Sequence, residues 1–349
     1  KVDGEIWVSN SLICLLAVAG AAADLNYVQY QLHFASFRYG IGKAVRNLPT
    51  SAGYVQLTYF DNLVWDGSTI ELRSKPDKIS AFKDFCHYRN FLATSMQRLY
   101  HNVTHSSRQH PYRMLCTISN GYDSPTVAAL ASEAGCKEAV TIDVDRKGLN
   151  DSGENIAAIL GLRCHSISRE AWLSNRIPEV PFIACSGSVG DLVFKGMENH
   201  LSGKVLLTGL TDTWVKKVED TISDGAGLGL TEYRLWAGFI HSPVTMWGAR
   251  HFQRVNAINN SPEMKPWDLD SPYSRPICRR ILEEAGVPRN LFGMEKHGVS
   301  VVPPAPSYFL SPSSREDFLD WIGKRHFQSK RCGSTFPSPT LAKLLDRSV

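Results

Sequence analysis

From residue 113 onward the chain alternates short apolar runs with helix-length stretches, and this alternation constrains the fold more than any single motif. Residues 114–118, 139–143, 163–167 and 204–208 read as strands, and residues 125–134, 152–160 and 190–200 read as the helices between them. Apolar strands joined through helices bury both faces of their sheet. The pattern therefore predicts an α/β fold, a parallel sheet with helices on both faces. Ligands of such sheets bind beyond the carboxyl ends of the strands. Ser119, Asp143 and Thr208 stand at three of those ends, and the alternation predicts that they converge on one crevice.

The first strand runs into Ser119-Asn120-Gly121-Tyr122-Asp123-Ser124, followed by Pro125 and a stretch rich in alanine that stops at Gly135. A strand, a turn of small residues and a helix make an anion cradle. The backbone N–H groups at a helix N-terminus lack intrahelical partners, and the helix dipole favours negative charge there. Pro125 suits the first helical turn and Gly135 suits the stop. Ser119 and Ser124 add hydroxyl donors, and Asp123 is of the type that holds a divalent cation against phosphate oxygens. A polar turn with a good helix start is the plainer reading of the same residues.

Ahead of the sheet, residues 1–105 read as a small α+β module, with residues 106–349 as a second domain. Residues 5–9 read as a strand and 12–22 as a helix. Residues 53–59 alternate like a half-buried strand, with residues 70–73 as partner across a turn at Asp66-Gly67-Ser68. Residues 79–101 have the spacing of a long amphipathic helix, and the polar, histidine-rich residues 101–112 read as a linker. The remainder, from about Thr231, is rich in Trp, Pro and Arg and is expected to be helical.

Composition narrows the function classes. At 349 residues the chain is long enough for two domains. A formal charge of +4 suits an anionic small ligand and speaks against a nucleic-acid binder. Eight cysteines occur without a C-x-x-C pair, which argues against a zinc site of that kind and fits a reducing, cytoplasmic setting. The apolar residues 11–23 are too few to span a bilayer, and no membrane partner is expected. His87, His101, His105 and His110 match no metal-ligand spacing.

The S-x-G-x-D-S turn resembles the pyrophosphate loop of N-type ATP pyrophosphatases, with Asn120 where that group usually has Gly. Residues 113 to about 300 resemble the synthetase domain of the asparagine synthetase family, whose fold is adenine nucleotide alpha hydrolase-like. The likeness rests on this loop, on residues 151–157 leading to Leu160-Gly161-Leu162-Arg163-Cys164-His165, on Lys204-Val205-Leu206-Leu207-Thr208-Gly209, and on Glu295-Lys296-His297-Gly298. The N-terminal stretch resembles the last third of the family's glutaminase domain; the front of that domain, with its cysteine nucleophile, has no counterpart. After Gly209 the family has an Asp-Glu pair, where this chain has Leu210-Thr211-Asp212-Thr213.

The resemblance implies an ATP-dependent, amide-forming ligase. A carboxylate is adenylated and passed to ammonia or an amine, with AMP and pyrophosphate released. It implies that Ser119, Asn120, Gly121, Asp123, Ser124 and Gly209 bind the phosphates, and that Ile142 and Asp143 border adenine and ribose. It places Mg²⁺ on Asp123 and Asp212 and gives Lys296 and Asp123 catalytic roles. The partners implied are a small carboxylate with ammonia or an amine, and a separate glutaminase or a second copy of the chain. Arg275, Arg279 and Arg280 suit either an anion clamp or a surface ion-pair face. Two rival readings keep the loop: a tRNA- or base-modifying enzyme, and a degenerate nucleotide-binding subunit.

Overall fold

The computed structural model describes residues 4–9, 11–24, 27, 29–34, 36, 43–75, 81–145, 147–171, 179, 194–210, 213–216, 232–294 and 310–331. Its strands are β1 (Asn47–Thr50), β2 (Gly53–Gln56), β3 (Asp61–Trp65), β4 (Ile70–Ser74), β5 (Arg113–Thr117), β6 (Glu138–Ile142), β7 (Arg163–Ile167), β8 (Lys204–Thr208) and β9 (Ile240–Pro243). Its α-helices are α1 (Leu12–Val18), α2 (Tyr30–Phe34), α3 (Phe85–Val103), α4 (Asp123–Glu133), α5 (Glu154–Ile159), α6 (Glu198–Leu201), α7 (Glu232–Ala237), α8 (Phe252–Asn259), α9 (Pro276–Glu284) and α10 (Pro312–Arg331).

Five strands form one parallel sheet in the order β7-β6-β5-β8-β9. Successive residues of its strands feed opposite faces. Met114 and Cys116 of β5 and Val205 and Leu207 of β8 pack with residues of α3, α4, α5 and α9. Leu115, Val140, Ile142 and Leu206 point the other way, against Met197, Leu201, Tyr233 and Ala237. Both faces are therefore covered, as the unbroken apolar strands require. Residues 127–131 of α4, Val-Ala-Ala-Leu-Ala, are all buried, and three small alanines let this helix lie close to the sheet.

The order reverses at β5. The chain builds outward through β6 and β7, then crosses back to place β8 on the other flank of β5. The carboxyl ends of β5 and β8 thus lie side by side at the switch point, where α/β sheets open a crevice.

Several expected elements differ. Residues 6–9 are irregular and exposed rather than a strand. The helix expected over 12–22 stops at Val18, where Gly20 takes φ +60°. The strand expected over 53–59 ends at Gln56 and pairs with β1, not with residues 70–73. The true partner of β4 is β3, joined by a turn in which Asp66 accepts bonds from the N–H groups of Ser68 and Thr69. Of the helix expected over 79–101, residues 79 and 80 lie outside the described residues; 81–84 are not helical, and the helix starts at Phe85, where Asp84 caps it by accepting from the His87 N–H at 2.8 Å. Of the helix expected over 190–200, residues 190–193 lie outside the described residues; 194–197 form turns, and the helix is Glu198–Leu201. The region beyond 231 also holds β9, which extends the sheet beside β8. α3 lies on the N-terminal side of the expected linker and shares the core beneath α4.

Among the described residues no helix is long and apolar enough to cross a membrane.

Candidate functional site

The turn between β5 and α4 is closed on itself and anchored on both sides. The hydroxyls of Ser119 and Ser124 lie 2.9 Å apart, and the Gly121 N–H donates to Ser119 Oγ at 3.2 Å. The Asn120 N–H donates to Asp151, and the Asn120 carbonyl accepts from the Gly293 N–H at 2.8 Å. Neither Asn120 nor Gly121 has a positive φ. Asn in place of the usual Gly therefore carries no backbone strain here. The N–H groups of residues 120 and 121 are turned inward, so the donors left to face a ligand are the first turn of α4 and the hydroxyls.

Asp151 ties this turn to the next strand. It is buried, and its N–H donates to the Asp143 carbonyl at 3.2 Å. The Asp143 carboxylate in turn accepts from the N–H groups of Val144 and Arg169 at 2.8 and 3.0 Å. Asp143 thus knits the ends of β6 and β7, and its carboxylate is occupied with backbone donors. The Ile142 side chain packs into the core on the face opposite α4.

From the other flank, Gly209 at the end of β8 touches the start of α4. A Cβ there would lie 2.5 Å from the Asp123 carbonyl carbon and 2.6 Å from the Ser124 nitrogen. Only glycine lets the two backbones meet. Gly153 has the same role beneath the turn, where a Cβ would lie 2.8 Å from the Ser119 nitrogen. Ser119, Asn120, Gly121, Asp123, Ser124 and Gly209 therefore come together. Asp212 and Lys296 lie outside the described residues.

The segment leading into α9 covers the loop from above. Arg275, 4% exposed, donates from Nη1 to Asp123 Oδ1 at 2.9 Å. The Cys278 thiol lies 3.6 Å from the same oxygen. Arg279 donates to the Tyr122 hydroxyl at 2.8 Å, and the Tyr122 and Tyr273 rings lie 5.0 Å apart. The Tyr273 hydroxyl sits 3.7 Å from where a Gly121 Cβ would be. Asn259 aims this segment: its side-chain oxygen accepts from the Ile277 N–H, and its amide donates to the Trp214 carbonyl. Burial, reinforced by the Asp123 charge, pushes the phenol of Tyr273 and the thiol of Cys278 upward, so both stay protonated near neutrality. Arg280, by contrast, stacks over Phe85 and Trp267 and pairs with Glu284. The surface ion-pair expectation fits it and not Arg275.

The turn offers an anion two hydroxyls and a helix N-terminus, beside the Arg275–Asp123 ion pair. Of the two residues to which the resemblance gives Mg²⁺, Asp123 accepts from Arg275 and Asp212 lies outside the described residues. Among the described residues no group of three or more His, Cys, Asp or Glu side chains has the geometry of a metal site. Sequence reasoning missed Asp151, Gly153 and Tyr273. Their sequence signals are the Ser-Gly step after Asp151 and the Pro-Tyr-Ser-Arg-Pro run.

No protein-family model matches the chain, and no curated protein sequence matches it.

Proposed function

We propose that this chain is an ATP-dependent, amide-forming ligase of the asparagine synthetase kind. It would adenylate a substrate carboxylate and transfer the acyl group to ammonia or an amine, releasing AMP and pyrophosphate, on an adenine nucleotide alpha hydrolase-like fold. The observation that supports this reading most is the seating of the 119–124 turn at the switch point of the parallel sheet, with Gly209 against its backbone. ATP supplies the activating adenylyl group. Ser119, Ser124 and the first turn of α4 would bind and orient the phosphates. The Tyr273 hydroxyl, protonated and partly buried, would donate from above. Gly209 holds the cradle rigid, so that orientation rather than chemistry by the side chains lowers the barrier. No step is assigned to Mg²⁺. Lys296 enters as an expected charge-stabilising residue on the strength of the resemblance alone.

A second reading, a nucleotide-binding subunit without turnover, draws on one observation: the Asp123 carboxylate is occupied by Arg275.

AMP and pyrophosphate release from Mg·ATP, measured across a panel of carboxylates and amines with Asp123→Ala as control, separates the two. AMP that depends on one carboxylate and on Asp123 is the expected result. ATP binding without AMP from any pairing would leave the binding-subunit reading standing in its place.

A further inference from the structure

We propose that Cys116 and Cys136 are a modification site, a dithiol that a hydroperoxide converts to a disulfide at the base of the β5–α4 unit. The proposal stands apart from the nucleotide reading. Cys116 lies in β5 and Cys136 follows Gly135 just beyond α4, so the two thiols bracket the 119–124 turn and the whole of that helix. They hydrogen-bond to each other, and both reach one backbone oxygen: the Glu138 carbonyl lies 3.5 Å from Cys116 Sγ and 3.3 Å from Cys136 Sγ. Neither residue is more than 2% exposed. The backbone keeps them together. Cys116 is matched with Ala139 of β6 on one side and Leu207 of β8 on the other. The Cys136 N–H donates to the Ala131 carbonyl at 2.9 Å. Gly135 takes φ +111°, and a Cβ there would lie 2.9 Å from the Tyr100 ring, so only glycine fits this turn.

The two thiols are chemically unequal. The contact with Cys136, then burial, pushes the Cys116 thiol well up, while the same contact holds Cys136 below its ordinary value. Cys164, which pairs with Ala139 from β7, is pushed up by burial to about 11 and stays a thiol. Cys136 is therefore the nucleophile. Its sulfur attacks one oxygen of hydrogen peroxide and the O–O bond breaks. Cys136 becomes a sulfenic acid, and the other oxygen leaves as hydroxide and takes the thiol proton to form water. The Cys116 sulfur then attacks the Cys136 sulfur. The S–S bond forms, the S–O bond breaks, and the leaving hydroxide takes the Cys116 proton as a second water. Two thiols lose two electrons, and one peroxide becomes two waters. The ring so closed contains the turn of the candidate site and all of α4.

The test treats the folded full chain with hydrogen peroxide, alkylates the remaining thiols in urea and maps the unreduced peptides by mass spectrometry. Cys86 is exposed and reports that the oxidant has acted. The expected product is a Cys116–Cys136 linked peptide, lighter than the two free peptides by two hydrogens and released by dithiothreitol. In Cys116→Ala, dimedone should trap a sulfenic acid on Cys136; in Cys136→Ala, Cys116 should remain alkylatable. Cys116 and Cys136 both still alkylatable once Cys86 is oxidised would overturn the proposal. So would a bridge from either of them to Cys164, or a Cys116–Cys136 bridge that forms only when peroxide is added in urea, which belongs to the unfolded chain. If the variants do not fold, the wild-type map decides alone. Nucleotide binding enters none of these readouts, so the failure of either reading leaves the other to its own test.

Discussion

Single glycines carry much of the site's geometry, and they do so for different reasons. Gly209 is needed for space: an added methyl would strike the backbone of Asp123 and Ser124, which has no room to yield. Gly161 is needed only for its backbone conformation, φ +67°, with nothing within 4 Å of its missing Cβ. Gly209→Ala should therefore cost about 1–3 kcal/mol by overpacking and abolish anion binding. Gly161→Ala should cost about 1 kcal/mol and leave binding untouched. Urea unfolding with a pyrophosphate titration on each variant checks the pair; equal binding by both would show that the contact at Gly209 does not shape the site. The six residues of the turn were legible in the sequence because their geometry is local. Arg275 was only one of two readings, because no local pattern shows which distant carboxylate a buried arginine meets.

At the level of the element, helix starts and strand partners behave differently. α3 begins where Asp84 accepts from the His87 N–H and the Glu263 carboxylate accepts from the Phe85 N–H at 2.9 Å. Asp84→Ala should cost about 1 kcal/mol, read as a lowered thermal midpoint; an unchanged midpoint would mean that Glu263 caps the helix alone. β8 was readable to the residue, since an apolar run buried on both faces leaves little choice of boundary; β7, Arg-Cys-His-Ser-Ile at the sheet edge, carries no such run and was legible from its place in the strand–helix alternation. β9, Ile-His-Ser-Pro, carries no apolar run and ends in proline, so only its place beside β8 reveals it. The pairing of β3 with β4 was hidden for another reason. Alternation marks a strand but not its partner, and the Asp66-Gly67 turn joins the two strands nearest to it. Asp66 is held well below the ordinary carboxylate range by the N–H groups of Thr69 and Ser68. Its contribution to the hairpin is present above that ordinary range and lost as pH falls through the lowered value. Hydrogen exchange of β3 and β4 should accelerate in Asp66→Ala at neutral pH and much less at strongly acid pH.

Across the whole molecule, charge gathers at the sheet end away from the candidate site. Glu138, Arg163 and Lys204 open β6, β7 and β8, and Glu138 accepts from Lys204 at 2.8 Å and lies 3.2 Å from Arg163. The His165 and His200 rings stack nearby at 4.5 Å. Burial, then the positive neighbours His165, Lys204 and Arg163, hold His200 below its ordinary value of 6.5, while Glu138 pulls the other way. A histidine with a lowered folded pKa favours the folded chain fully above that ordinary value, and the advantage is lost as pH falls below it. The urea midpoint should therefore drop between about pH 7.5 and about pH 5.5, and His200→Gln should flatten the drop. An equal slope in the variant would assign the effect to another group.

The reversal of strand order at β5 also has a consequence in time. The turn at 119–124 leaves the ribosome early, but its lateral neighbour Gly209 and its counter-ion Arg275 follow much later, the latter 152 residues on. Until that stretch has been made, the amino end of α4 has neither its flank nor its roof. The candidate site is thus completed late in synthesis, and an interruption before Arg275 leaves a chain with all five strands of its sheet in hand and Asp123 without the Arg275 guanidinium.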